Sequence, residues 1–126
     1  MQILIIDDNK DFLEIFSMKL TQAGFEVATA NSGAEGIEAA KKIHPDLILL
    51  DVEMPVMNGL ETLAKLKADS ATSAFKVVFL TNYGEPSKDT TWIDEKFARE
   101  AGAADYIKKS EDLDQIVTEV KRLLKT

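Results

Sequence analysis

Short apolar runs alternate with longer amphipathic stretches along the chain. Three of the runs, Ile3–Ile6, Leu47–Leu50 and Val77–Leu80, are apolar throughout. That pattern is typical of strands that are buried on both faces of a parallel sheet. Two further runs, Phe25–Ala30 and Tyr106–Ile107, also predict strands because aromatic and β-branched residues are enriched in them.

The stretches that follow these strands carry apolar residues at helical spacing. Each stretch predicts one helix, and in chain order they are Phe12–Ala23, Ile37–Ile43, Leu60–Leu66, Trp92–Ala101 and Leu113–Leu124. The first helix should present Phe12, Ile15, Phe16 and Leu20 on its apolar face and end at Gly24. The fourth pattern is the weakest and the fifth is the clearest. A strand and a helix repeated five times predict an α/β fold, a doubly wound (βα)5 sheet of five parallel strands with helices on both faces.

Composition narrows the class of protein. The chain has 126 residues, which predicts one domain over residues 1–126. It has no cysteine and a single histidine, His44, which we interpret as a surface helix cap. The absence of cysteine excludes disulfides and thiolate metal sites. A net charge of −7 argues against direct nucleic-acid binding, and no run is long enough for a signal peptide or a membrane span. We therefore expect a cytoplasmic protein.

Polar residues follow the predicted strands where they end. Asp7 and Asp8 follow the first strand, Asp51 follows the third and Thr81 follows the fourth. Lys108 and Lys109 follow the fifth. Since the carboxyl ends of parallel strands form one edge of the sheet, where sites on such folds lie, we expect these side chains to converge.

Three carboxylates at one edge need a compensating cation. Oxygen ligands without cysteine or a usable histidine favour Mg²⁺ over zinc or copper. A carboxylate beside such an ion can act as a nucleophile toward a phosphoryl group. The alternative is that Asp7 and Asp8 only cap the first helix, a common use of aspartate. No glycine-rich phosphate loop follows the first strand, so a phosphoryl group must come from another molecule.

The sequence resembles the receiver domains of two-component response regulators over essentially its whole length, most closely the single-domain chemotaxis type. The resemblance is carried by four motifs: Asp7-Asp8, the segment from Asp51 to Gly59, Thr81, and the segment from Ala101 to Lys109. It implies the flavodoxin-like strand order 2-1-3-4-5. It also implies phosphorylation by a sensor histidine kinase or a phosphotransfer protein, and control of an output protein that the sequence does not name.

The resemblance also implies a role for each site residue. Asp51 is the phosphoacceptor, and Mg²⁺ is bound by Asp8, by Asp51 and by the backbone carbonyl of Glu53, with Asp7 acting mainly through water. Lys109 contacts the phosphoryl group. Thr81 and Tyr106 form the switch pair, and the surface of the fourth helix, the fifth strand and the fifth helix carries the output. The chain is then not an enzyme except in assisting its own phosphorylation and slow dephosphorylation.

Three departures from the family pattern bear on function. Asn82 stands where the family usually has a small residue, and Ser110 stands where it often has proline. On base rates we expect the peptide bond between Lys109 and Ser110 to be trans. The segment from Asn82 to Trp92 is longer than usual, and we expect it to form a loop through Asp89.

Several alternatives remain open. Asn82 is compatible with a receiver that binds a partner without being phosphorylated. A flavodoxin-like electron carrier shares the fold, but Asp7 and Asp8 would repel a flavin phosphate. A haloacid-dehalogenase-like phosphatase is suggested by the segment Asp51-Val52-Glu53, yet that class needs its nucleophile after the first strand. The chain is either a protein that works by binding a partner or a fragment of a larger regulator or hybrid kinase, and Met1 at the first strand favours a natural N-terminus.

Overall fold

A computed structural model describes residues 1–52, 54, 56–81, 103, 105–108 and 112–124. The strands are β1 (Gln2–Ile6), β2 (Glu26–Ala30), β3 (Leu47–Asp51), β4 (Val77–Thr81) and β5 (Asp105–Lys108). The helices are α1 (Lys10–Gln22), α2 (Gly33–Ile43), α3 (Gly59–Ala68) and α4 (Leu113–Leu124). The helix α4 corresponds to the fifth predicted helix, and the fourth predicted helix lies outside the described residues.

The five strands form one sheet in the order β2-β1-β3-β4-β5, and every neighbouring pair is parallel. The α/β class and the strand order are therefore confirmed. The register places Ile6 beside Leu50 and Asp51 beside Leu80. Because β1, β3 and β4 are neighbours, the residues that follow them meet at one edge of the sheet.

Alternate residues of the strands supply two separate cores. Leu4 and Ile6 point to the face covered by α2 and α3, which we call the α2–α3 face. Ile3 and Ile5 point to the face covered by α1 and α4, which we call the α1–α4 face. All four side chains are fully buried, as expected for a strand with helices on both sides.

The first three helices begin at residues that satisfy free backbone N–H groups. Asn9, Ser32 and Asn58 cap α1, α2 and α3, each accepting a hydrogen bond from an N–H three residues ahead. Asn58 and Glu61 form a reciprocal capping box. The backbone N–H of His44 ends α2 by donating to the carbonyl of Ala40, which confirms the expectation that His44 caps a helix.

One predicted helix face needs correction. The sequence pattern places Ile15 on the apolar face of the first helix, but its side chain is 51% exposed. The buried residues of α1 are Leu13, Phe16 and Leu20. The spacing of three and four residues between these three aligns them on one stripe. Ile15 points about 100° away from its neighbour Phe16 around the helix axis, because an α-helix has 3.6 residues per turn.

Candidate functional site

Three carboxylates come together at the carboxyl end of the sheet. Asp51 is the last residue of β3, and Asp7 and Asp8 follow β1 directly. Each of the three offers an oxygen, and these oxygens all lie within 4.8 Å of one another. Asp7 is fully buried and Asp51 is 3% exposed, whereas Asp8 is exposed. The cluster therefore has two buried members and one that is open to solvent.

The position of Asp7 is fixed by the backbone around it. Its N–H donates to the carbonyl of Ala30 at 3.0 Å, which extends the pairing of β1 and β2 by one residue. Its Oδ1 accepts a hydrogen bond from the N–H of Asn9 at 2.9 Å. The N-cap of α1 is Asn9 itself, whose Oδ1 accepts from the N–H of Phe12. The alternative interpretation, in which Asp7 and Asp8 serve as the helix cap, is therefore wrong.

Asp51 is held between β4 and the start of α3. The N–H of Val52 donates to the carbonyl of Leu80 at 3.1 Å, and the N–H of Gly59 donates to the carbonyl of Val52 at 2.9 Å. A Cβ atom added to Gly59 would overlap the backbone carbonyl oxygen of Asp51. Only glycine allows the first turn of α3 to lie this close to the backbone of Asp51.

The loop between β3 and α3 contains an unusual backbone conformation. Val56 has a φ of 68°, in the left-handed region that a β-branched residue rarely adopts. Its side chain is completely exposed, whereas Met54 in the same loop is buried. The left-handed region costs roughly 1–2 kcal/mol per residue. No sequence pattern indicates this conformation, since valine normally favours extended backbone.

The electrostatics of the cluster favour a bound cation. Two unit charges less than 4.8 Å apart repel by about 3 kcal/mol or more at an effective dielectric of 20. Asp7 and Asp51 are both buried, so bulk water screens this repulsion poorly. A donor set made only of carboxylate oxygens suits a hard divalent ion such as Mg²⁺. The residues present thus fit the ion that the resemblance implies.

The remaining predicted site residues are placed only in part. The backbone of Thr81 ends β4 beside Lys108, one residue beyond the neighbour of Asp51. Tyr106 lies in β5 next to Phe79, half-buried against the core of the α2–α3 face. Glu53 and Lys109 lie outside the described residues, as do Asn82, Ser110 and the long segment that begins at Asn82.

Comparison with known proteins identifies the family. The family model for the response regulator receiver domain matches residues 3–121. The chain therefore belongs to the response regulator receiver family, whose members are signalling switches rather than classical enzymes. Membership confirms the resemblance drawn from the strand-end motifs.

Individual relatives agree with this. The transcriptional regulatory protein PrrA of Mycobacterium bovis is 36% identical over 124 residues, which cover 98% of this chain and 50% of PrrA. The DNA-binding dual master transcriptional regulator RpaA of Synechocystis is 32% identical over 124 residues, covering 98% of this chain and 49% of RpaA. This chain thus spans about half the length of these curated relatives.

Solved structures show the same fold. The chemotaxis protein CheY4 of Vibrio cholerae superposes with a TM-score of 0.81 at 28% identity, covering 96% of both chains. A CheY-like receiver domain protein of Methanospirillum hungatei gives a TM-score of 0.80 at 29% identity, covering 98% of this chain and 93% of that one. Within the described residues of this chain, no helix combines the length and apolar character needed to cross a membrane.

Proposed function

We propose that this receiver is a phosphorylation switch that accepts a phosphoryl group on Asp51. The observation that supports this most directly is the position of Asp51, buried at the carboxyl end of β3 with Asp7 and Asp8 within 4.8 Å. The donor is a phosphohistidine on a sensor histidine kinase or a phosphotransfer protein. The family membership supports that donor class, because receivers work with such partners.

The chemistry at Asp51 is a transfer between two nucleophiles. A carboxylate oxygen of Asp51 forms a bond to phosphorus while the bond from phosphorus to the histidine nitrogen breaks, and the nitrogen keeps the electron pair. The product is an acyl phosphate on Asp51 and a free histidine on the donor. Attack by water on phosphorus later releases inorganic phosphate and restores the carboxylate, which ends the signal.

The chain's own residues prepare Asp51 for this reaction. The hydrogen bonds on either side of Val52 hold the end of β3 against β4 and α3, so the backbone that carries the Asp51 side chain is fixed before the donor arrives. The exposed Asp8 lies on the solvent side of the cluster, from which a donor must approach. The fixed backbone reduces the reorganisation that the transfer requires, and the exposed side gives the donor access to the cluster.

The magnesium site is part of the same proposal. Asp8, Asp51 and the carbonyl of Glu53 are the proposed protein ligands, with Asp7 acting mainly through water. When bound, Mg²⁺ offsets the charge of the carboxylates and of the phosphoryl oxygens. We assign Lys109 to the phosphoryl group as a second positive charge and Thr81 as a hydroxyl donor to a phosphoryl oxygen.

The surface change that we propose as the signal depends on the position of β5 in the sheet. Thr81 and Tyr106 lie on neighbouring strands at the end of the sheet that carries Asp51. A hydroxyl at Thr81 that turns toward the phosphoryl group would leave space for Tyr106. This movement of Thr81 and Tyr106 would change the surface around the fourth predicted helix, β5 and α4. An output protein would then bind either the phosphorylated or the unphosphorylated form of that surface.

Intact mass spectrometry tests the proposal. After incubation with acetyl phosphate and Mg²⁺, we expect a single adduct of about 80 Da, the mass that one acyl phosphate adds. The adduct should be absent from Asp51→Asn and from wild type in EDTA. Asp46→Asn is the matched control, because Asp46 is an aspartate at the amino end of β3, where it accepts from the N–H of Gln2, and it should be modified like wild type. An undiminished adduct on Asp51→Asn would remove the assignment.

A further inference from the structure

The outer edge of β2 presents backbone groups that face away from the rest of the sheet. β2 is the terminal strand of the sheet, with β1 as its neighbour. Glu26 donates to the carbonyl of Met1, and the carbonyl of Ala30 accepts from Asp7. Since alternate residues of a parallel strand bond to a given neighbour, Glu26, Ala28 and Ala30 face β1. The N–H and carbonyl groups of Val27 and Thr29 therefore point outward.

A groove of about 330 Å³ opens at the carboxyl end of this edge, beside Thr29 and Ala30. One wall is α1, which contributes Lys10, Glu14 and Ser17, and Asn31 and Glu35 close the end beyond β2. Thr29 is itself exposed. An extended peptide laid along β2 would thus find both backbone partners and room for side chains.

The charges in the groove favour a cationic occupant. Glu14 and Glu35 outnumber Lys10 there. In the part of the chain that the structure describes, neither carboxylate lies within ion-pairing distance of a lysine or an arginine. Glu35 is held in place because it accepts a hydrogen bond from the N–H of Asn31 at 3.3 Å. Two acidic groups are thus available to a basic side chain.

We propose that the β2 edge binds an extended, basic segment of another protein by strand addition. Main-chain hydrogen bonds to Val27 and Thr29 would supply affinity, and lysine or arginine side chains between Glu14 and Glu35 would supply specificity. A second copy of this chain is disfavoured as the occupant because each copy carries a net charge of −7. The added strand would run parallel to β2, as neighbouring strands do elsewhere in the sheet.

The occupied edge would lie next to the aspartate cluster. The carbonyl of Ala30, at the end of β2, is bonded to the N–H of Asp7. A partner bound along β2 therefore contacts the strand that holds Asp7 in place. Binding here needs no phosphoryl group on Asp51, so this inference and the proposed function fail independently of each other.

The test uses a capped peptide in which lysine alternates with valine and threonine, added to unphosphorylated protein. Amide spectra by NMR should saturate with a midpoint below about 1 mM, a modest affinity for one added strand. The largest shifts should fall on Val27 and Thr29, and amide exchange of Thr29 should slow. A matched peptide with glutamate in place of lysine should bind at least tenfold more weakly.

Two sets of variants separate the backbone and charge contributions. Thr29→Pro removes an outward N–H while leaving the pairing with β1 intact, since proline is tolerated on edge strands, and should weaken binding roughly fivefold. Glu14→Gln and Glu35→Gln should each weaken it roughly threefold. Glu119→Gln, on α4 and away from the groove, is the matched control and should bind like wild type.

The opposite results overturn the inference. An absence of saturation, or equal binding of the glutamate peptide, would show that the edge does not select a basic strand. Wild-type affinity in Thr29→Pro, with its amide spectrum showing an intact fold, would show that lysine side chains bind without strand pairing. If Thr29→Pro fails to fold, unchanged exchange of the Thr29 amide in peptide-saturated wild type would equally show that no strand is added.

Discussion

The helices approach the two faces of the sheet by different means. On the α2–α3 face, glycines bring backbone close to its neighbours: a Cβ atom at Gly36 would overlap the side chain of Ile6, and one at Gly59 would overlap the backbone of Asp51. On the α1–α4 face, large side chains such as Phe16 and Ile116 fill the space instead. The backbone of Asp51 is thus locked to α3, whereas α1 contacts the site through the hydrogen bond from Asn9 to Asp7 and not at Asp51.

This difference separates stability from site geometry. Removing a large side chain from the α1–α4 face leaves a cavity, which costs stability but does not touch Asp51. Adding even a methyl group at the start of α3 pushes against the carbonyl of Asp51 itself. The two kinds of change should therefore give different combinations of unfolding free energy and phosphorylation.

The largest expected effect on stability is at Phe16. Phe16→Ala should lower the free energy of unfolding by about 3–5 kcal/mol, because Phe16 is fully buried in the core of the α1–α4 face. The folded fraction of Phe16→Ala should still be phosphorylated by acetyl phosphate. Urea unfolding measures the first effect and mass spectrometry the second.

Ile15→Ala is the control for Phe16→Ala. Ile15 is the neighbouring residue of α1 but half-exposed, so its truncation should cost less than about 1 kcal/mol. Loss of phosphorylation in folded Phe16→Ala would show that the α1–α4 face controls the site directly, contrary to the separation of stability from site geometry.

Gly59→Ala should combine a smaller loss of stability with damage to the site. The new methyl group meets the backbone of Asp51 and Val52, neither of which can move without disturbing β3, so we expect a loss of about 1–3 kcal/mol. Phosphorylation of the folded variant should also slow. The rate of adduct formation at saturating acetyl phosphate is the measurement.

Gly36→Ala is the matched variant on the same face. The three atoms nearest its methyl group all belong to the side chain of Ile6, and none belongs to Asp51. It should lose stability to a similar extent yet be phosphorylated at the wild-type rate. Equal slowing in both glycine variants would mean that packing on this face, rather than contact with Asp51, determines reactivity.

The repulsion between the clustered carboxylates should lower the free energy of unfolding of the protein. Asp51→Asn removes one of two buried like charges, so in EDTA it should raise the free energy of unfolding by about 1–2 kcal/mol. Added Mg²⁺ should reduce the difference in unfolding free energy between Asp51→Asn and wild type, because it stabilises wild type by binding the folded state. Urea unfolding with and without Mg²⁺ measures both; a less stable Asp51→Asn in EDTA would contradict the proposed repulsion.

The smallest expected effect concerns an exposed ion pair that joins the helices of the α2–α3 face. The N–H of Ala71 and then the Lys41 ammonium lower the pKa of Asp69 below its usual value. Because the pKa is lower in the folded state, this contribution is present above the unfolded pKa of about 3.9 and is lost as the pH falls through the folded pKa.

Asp69→Asn should therefore shift the urea midpoint slightly downward at neutral pH and not at all in strong acid. Asp114→Asn on α4 is the counterpart on the α1–α4 face, where Asp114 pairs with Lys19 and its side chain is 76% exposed. Its effect at neutral pH should be smaller still. A shift in Asp69→Asn that persists in strong acid would mean that its charge is not the cause.

Much of the fold could be predicted from the sequence because the patterns are local. Continuous apolar runs such as Ile3–Ile6 mark buried strands, and the carboxyl ends of parallel strands must share an edge, which brings Asp7, Asp8 and Asp51 together. The resemblance to receivers then supplies the strand order and the proposed roles.

Other features could not be predicted because they depend on packing. Spacing alone places Ile15 in the core, but the direction of α1 over the sheet decides which stripe is buried, and that stripe contains Leu13. The close approach of Gly59 to the backbone of Asp51 and the left-handed backbone at Val56 are equally non-local. The groove beside Thr29 depends on how α1 lies against the edge of β2, which no local pattern indicates.

Asp51 is the one of the three clustered carboxylates that we propose as the phosphoacceptor, and chemical trapping tests this most directly. Borohydride reduces an acyl phosphate to an alcohol, so a phosphorylated aspartate becomes homoserine and can be located by peptide sequencing. After treatment of wild type with acetyl phosphate, Mg²⁺ and then borohydride, we expect homoserine at position 51 alone. Homoserine at position 7 or 8, or none at position 51, would contradict the proposal.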